Sequence, residues 1–106
     1  MTLQTLTKLL QEFDTISFAY GQFPDSVEPP YISYRAEEEN AIYGDGIKVY
    51  ADEIVIMDVV TAKRDLRLEA RLDALFENSD TQTKKSYEFD EEQKIHIVTY
   101  EFSAET

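Results

Sequence analysis

The spacing of hydrophobic residues predicts two helices and five strands. Large apolar side chains recur every three or four residues over about residues 3–13 and again from position 65 to about Asn78, as on the buried face of an amphipathic helix. Elsewhere apolar and polar residues alternate, as in strands that bury one face. The alternating segments are residues 16–20, 31–36, 86–90 and 95–102, and the fifth strand is the long segment 47–62.

The long segment is apolar on both faces. Val55, Met57 and Val59 share one face, and Ile54 and Ile56 share the other. Such a strand needs two covers, and helices can supply only one, so the other must be more chain or another subunit. Tyrosine suits both half-buried strands and protein interfaces. The residues predicted to lie at or near a subunit contact are Ile54, Val55, Ile56, Met57 and Val59, together with Tyr31 and Tyr34.

Prolines, glycines and one aspartate mark the boundaries of these elements. Pro29 and Pro30 fix φ and lack backbone donors, which predicts an extended approach to the second strand. Gly44 and Gly46 predict a turn, because both can take positive φ around the residue between them. Asp65 can accept a hydrogen bond from the first turn of the second helix and is predicted to be its N-cap.

The second helix has an apolar stripe and a charged face. The stripe predicted to be buried is Leu68, Leu72, Leu75 and Phe76, and the residues predicted to face water are Glu69, Arg71 and Asp73. The acidic run Glu37–Asn40 has too many charges for a sheet interior, so we expect it at a sheet edge or in a loop.

The element order α-β-β-β-α-β-β predicts an α+β fold. We expect a mostly antiparallel sheet with both helices packed on one face. The chain has 106 residues and no segment that reads as a linker, so we predict a single domain over residues 1–106.

Composition limits the function more than it defines it. The formal net charge is −12, and the ten Lys and Arg residues are scattered, which argues against a nucleic-acid partner. No apolar run is long enough to span a membrane, and the N-terminus does not resemble a signal peptide. Cysteine is absent, which excludes disulfides and thiolate metal sites.

The sequence offers little catalytic chemistry. The one histidine, His96, lies between two isoleucines in a predicted strand, where a rim position or a polar contact is more typical than catalysis. The acidic residues do not match a calcium-binding loop, and Gly44–Gly46 lacks the remaining features of a phosphate loop. We therefore expect no catalytic residue, no cofactor and no metal.

Three segments carry a resemblance to a known family. They are AYGQFP at residues 19–24, PPYISY at residues 29–34 and TAKRD at residues 61–65. With the order of elements around them, the chain resembles small head–tail joining or tail-terminator proteins of tailed phages and prophages of Gram-positive bacteria, also called tail completion or minor capsid proteins. The likeness covers nearly the full chain, and none of the three segments is a catalytic motif.

The resemblance implies a structural role in the virion. Proteins of this family form rings, typically of six copies, and dock to the tail tube protein and to the head connector protein. The implied location is the tail or neck of the particle, and the host cytoplasm during assembly. Two alternatives remain open from the residues alone: an acidic interaction or inhibitor module that mimics nucleic acid, and an enzyme with a carboxylate metal site.

Overall fold

The computed structural model describes residues 1–13, 16–21 and 27–104, with Tyr50 and Ala51 described by their backbone alone. The described elements are α1 (Leu3–Leu10), β1 (Ser17–Tyr20), β2 (Tyr31–Gly44), β3 (Ile47–Thr61), α2 (Leu66–Asn78), β4 (Lys84–Asp90) and β5 (Ile95–Ser103). The strands form one sheet in the order β1-β2-β3-β5-β4, in which only the β1–β2 pair is parallel. The predicted α+β class and the predicted order of elements are confirmed.

Both helices pack on one face of this sheet. In β3 the buried row is Val55, Met57 and Val59, and the register places Tyr100 of β5 beside Met57. The helices add Leu6 and Leu10 from α1, and Leu68, Leu72 and Phe76 from α2, to the same core cluster. Because side chains alternate along a strand, this packing leaves the opposite face of the sheet without a helix.

The first helix is shorter than predicted. It ends at Leu10 instead of near Phe13, and the Thr2 side chain caps its first turn by accepting from the Thr5 amide at 3.1 Å. Phe13 is nevertheless buried, and the guanidinium of Arg71 lies 4.4 Å from the centre of its ring. The chain therefore leaves the helical conformation while its apolar side chains stay in the core.

The second helix begins where the sequence predicts. The Asp65 carboxylate accepts a hydrogen bond from the Leu68 amide at 3.0 Å and caps the helix. Of the predicted stripe, Leu68, Leu72 and Phe76 are buried and Leu75 is half-buried. The prediction that Glu69 faces water is wrong, because its side chain is buried between two basic residues.

A long hairpin joins β2 and β3. Its turn has positive φ at Asp45 and Gly46. The prediction of positive φ is therefore confirmed for Gly46 and wrong for Gly44, whose place is taken by Asp45. Aspartate tolerates this region because its short polar side chain can bond to nearby backbone. The acidic run Glu37–Asn40 lies in β2 beyond the part that pairs with β1, which places it at a sheet edge as predicted.

The start of β2 follows the two prolines, with Tyr31 as its first residue. The connection predicted over residues 22–30 lies partly outside the described residues, which resume at Val27. The last two residues of the chain also lie outside them.

We expect the substitution Leu72→Asp to unfold the domain, because Leu72 is fully buried. Burying an unpaired carboxylate costs several kcal/mol, which is comparable with the whole stability of a small domain. Leu66→Asp is the matched control, since Leu66 lies in the same helix and is 66% exposed. Thermal melts followed by circular dichroism measure both. A melting temperature of the Leu72 variant within a few degrees of the parent would contradict the packing described above.

Candidate functional site

The β2–β3 hairpin extends beyond the body of the sheet as a two-stranded ribbon. We use "ribbon" for residues 37–53. β1 pairs with β2 only as far as Tyr34, and β5 pairs with β3 only from Ile54 onward. Within the ribbon the two strands pair with each other, with irregular register between Glu39 and Tyr43. An isolated two-stranded hairpin is marginally stable in water, so further contacts would favour it.

The end of the ribbon exposes four large apolar side chains. We call them the ribbon tip: Ile42, Tyr43, Ile47 and Val49, which are 57%, 66%, 69% and 68% exposed. Scattered apolar residues on a surface are ordinary, but several at the end of a protruding element are typical of an interaction site. These four residues are not among those predicted from the sequence to lie at a contact. The available signal was the apolar residues on both sides of the predicted Gly44–Gly46 turn.

The face of the sheet opposite the helices is partly apolar and partly charged. Ile54 and Ile56 of β3 lie there and are half-buried. Near its centre the Asp58 carboxylate accepts from the Thr99 hydroxyl at 2.7 Å and from the Arg35 guanidinium at 3.4 Å. A polar network of this kind suits a wetted surface or a docking face with defined hydrogen bonds.

The structure separates the residues predicted to lie at a subunit contact into two groups. Val55, Met57, Val59 and Tyr34 are buried in the core beneath the helices, so they cannot form a surface for another subunit. They are apolar because they pack against the helices. The Tyr34 hydroxyl also forms a hydrogen bond with the Thr7 hydroxyl of α1 at 2.9 Å. The second group is half-buried and lies on the face of the sheet opposite the helices: Tyr31, Ile54 and Ile56. Their contact with another subunit stays a prediction.

Further exposed apolar residues lie on β4 and at the start of α2. We call Tyr87 and Phe89 of β4, which are 43% and 44% exposed, the β4 patch; Leu66 at the start of α2 is 66% exposed. Arg64 lies over the Tyr87 ring at 4.1 Å from its centre. The Nδ1 atom of His96 and the Tyr87 hydroxyl form a hydrogen bond of 2.5 Å. The centres of the His96 and Phe89 rings are 4.8 Å apart.

The surroundings of His96 favour a packing role. The residue makes a polar contact in a strand, as expected from the sequence, and its neighbours are aromatic rings. Among the described residues no group of three or more histidines, cysteines or acidic residues could hold a metal ion. Open depressions lie between α1 and α2 and between α2 and the start of β4. In the latter, Asp73 and Lys85 form an ion pair with each other at 3.2 Å.

Glu69 is the charged group that the fold holds most tightly. Its side chain is 7% exposed and receives hydrogen bonds from Arg64 at 3.1 and 3.3 Å and an ion pair from Lys85 at 3.2 Å. These contacts lower the pKa of Glu69, with the Arg64 hydrogen bonds as the main cause. Tyr100 lies beneath them, and burial together with its hydrogen bond to Asp73 raises the pKa of its hydroxyl. The network ties the loop before α2 to β4 and thereby positions the β4 patch.

Comparison with known proteins gives no relative: no protein family, no curated protein and no solved structure shows a significant match to this chain. Among the described residues, no helix is long and apolar enough to cross a membrane.

We expect Glu69→Gln to lower the free energy of unfolding by about 1–3 kcal/mol at pH 7, because it removes a buried acceptor of charge-assisted hydrogen bonds. The folded-state pKa of Glu69 lies below the unfolded value near 4.3. Its contribution is therefore fully present above that pH and is lost as pH falls through the folded-state pKa. Urea titrations at pH 7 and below pH 4 measure the difference between parent and variant. Glu77→Gln, an exposed change in the same helix, is the control. A gap between parent and Glu69→Gln that stays constant across this range would contradict the role of Glu69.

Proposed function

We propose that this chain is a structural protein of a tailed phage or prophage that completes the tail or joins it to the head by assembling into a ring. The observation that carries the proposal is the ribbon tip, an exposed apolar group at the end of an element that reaches beyond the folded body. Such a feature is suited to contact with another protein chain. The ring, the tail tube protein and the head connector protein are the partners that the sequence resemblance implies.

The remaining surfaces are consistent with an assembly role. The face of the sheet opposite the helices offers an area with half-buried isoleucines around the Asp58 network. The β4 patch offers a second exposed apolar area. A ring subunit needs at least two surfaces, one for each neighbour, and further surface for the tube and the connector. In this proposal the protein acts by binding alone, with no cofactor and no reaction.

The net charge of −12 predicts how association depends on salt. Like charges on two copies repel over a screening length of about 30 Å at 0.01 M salt and about 8 Å near 0.15 M salt. We expect the isolated protein to be mainly monomeric in dilute low-salt buffer and to associate as salt and concentration rise. Size exclusion with light scattering across a salt series measures the mass. Oligomers that dissociate as salt rises would show that ion pairs, and not apolar contacts, hold them together.

The proposed role itself is tested by locating the protein in particles. An epitope added at the C-terminus, followed by gold labelling and electron microscopy of particles induced from the strain that carries the gene, should place the label at the junction of head and tail. Deleting the gene should give heads and tails that do not join, or tails of uncontrolled length. Normal, infectious particles from the deletion strain, or label absent from particles, would reject the proposal and favour an interaction module outside the virion.

A further inference from the structure

The sheet has two free edges with exposed apolar side chains, and they lie on different parts of the molecule. β4 is the last strand of the sheet and pairs only with β5. Among the described residues, β3 between Ile47 and Asp52 pairs only with β2, because β5 pairs with β3 from Ile54 onward and Ala104, just after β5, donates to the Glu53 carbonyl at 2.8 Å. Within the part of the chain that the structure describes, these edges have no second strand neighbour, and edges of this kind are templates for pairing with another chain.

The two edges lie toward opposite ends of the long axis. β4 runs beside the half of the sheet that holds residues 56–61 of β3, through its register with β5. The free edge of β3 begins at Ile47, at the other end of the same strand. The 14 steps from Ile47 to Thr61 span roughly 46 Å at about 3.3 Å per residue, which agrees with the longest dimension of the molecule, 50 Å. Each copy therefore presents one of these edges toward each end of its long axis.

We propose that the free edge of β3 in the ribbon of one copy pairs, antiparallel, with the free edge of β4 in a second copy. The register that sets Ile47 opposite Phe89 also sets Val49 opposite Tyr87, so that apolar residues of the ribbon tip meet those of the β4 patch. Cross-strand pairs of aromatic and β-branched residues stabilise antiparallel strands. Main-chain hydrogen bonds between the two edges would supply affinity, as in other cases of strand addition.

The same register matches the charges. It places Lys48 of the ribbon opposite Glu88 of β4, and Asp52 opposite Lys84. Opposite charges facing each other across strands are favourable, and like charges are unfavourable. Lys48 already forms an ion pair with Glu38 of its own ribbon, and Asp52 accepts from Asn40 at 3.1 Å, so the contact would extend existing pairs. This match of charge and apolar side chains over one stretch identifies a second copy of this chain as the occupant of both edges.

The contact has a consequence for assembly. Within one copy β3 and β4 run parallel, since both are antiparallel to β5. Pairing them antiparallel between copies therefore turns the second copy by about 180° in the plane of the sheet, which brings its own β3 edge beside β4 of the first copy in the same register. The contact is thus isologous and closes as a two-fold dimer. The inference goes beyond the proposed function, since it names the strands that join two copies whether or not the pair is part of a ring.

Cysteine crosslinking tests the pairing directly, because the parent chain has no cysteine. Lys48→Cys and Glu88→Cys are both exposed changes, and residues directly opposite each other across antiparallel strands are within about 4.5–5.5 Å at Cβ. After oxidation of a mixture of the two variants at about 0.15 M salt, we expect a disulfide-linked dimer on a non-reducing gel. Glu88→Cys mixed with Ser17→Cys is the matched control, since Ser17 is exposed on β1 at the other side of the sheet, and we expect little crosslinking from it.

The alternative results each overturn the pairing. Efficient crosslinking of Lys48→Cys with itself would mean that ribbons associate tip to tip. Equal crosslinking of the Ser17 control would mean random collision. Failure of the mixture to crosslink at concentrations where light scattering detects oligomers would mean that other surfaces hold the copies together, and a protein that stays monomeric throughout would reject pairing between isolated copies.

A second comparison separates strand pairing from general stickiness of the ribbon tip. We expect Val49→Asp to raise the Kd of self-association by about tenfold or more, because Val49 lies on the pairing edge. This factor corresponds to about 1.4 kcal/mol of binding free energy. Sedimentation measures the Kd. Ile42→Asp is the matched control, since Ile42 is similarly exposed but lies on β2. We expect Ile42→Asp to have a much smaller effect, and an equal effect of both changes would overturn the pairing.

These experiments also distinguish the inference from the proposed function. Oligomers without the Lys48–Glu88 crosslink, together with label at the head–tail junction, would leave the proposed function in place and reject the strand pairing. The crosslink together with particles that carry no label would leave the pairing in place and reject the proposed function.

Discussion

The rest of the structure depends on the burial of one face of β3 beneath the two helices. Val55, Met57 and Val59 are almost fully excluded from water, and each is flanked by residues of β2 and β5 that face the same core. A shift of one residue in the register of β3 would turn this row toward solvent and the charged Asp58 into the core. The burial of this row therefore fixes the register of the central strands, and the register fixes which edges of the sheet remain free.

The free edges and exposed apolar side chains follow from unequal strand lengths. β2 and β3 have 14 and 15 residues, whereas β1 has 4 and β5 has 9. The central pair therefore extends past its neighbours and forms the ribbon, beside which the described residues place no further strand. Native proteins commonly shield such edges by charge, by twist or by a partner. Here the acidic residues Glu37–Glu39 place charge on the stem of the ribbon, while the tip exposes apolar side chains.

Charge is organised more locally than the overall value of −12 suggests. Three of the ten basic residues, Arg64, Lys85 and Arg71, are engaged around α2, where the first two neutralise the buried Glu69 and the third lies over Phe13. The remaining acidic excess is distributed over the surface. Together these arrangements make a folded body stabilised by a few partly buried ion pairs.

The sequence by itself determined the element types, their order and the α+β class, because hydrophobic periodicity and the Asp65 cap are local signals that the tertiary structure did not override. It also placed the core stripe Leu68, Leu72 and Phe76 correctly. It could not show which face of β3 packs against the helices, because the strand has apolar residues on both faces. Only the tertiary structure shows that Val55, Met57 and Val59 lie in the core. It also shows that Glu69 is buried, because Arg64 and Lys85 come from other segments of the chain to form ion pairs with it. The exposure of the ribbon tip is likewise a property of the tertiary structure. The sequence shows apolar residues around a turn, but their exposure depends on where the neighbouring strands end.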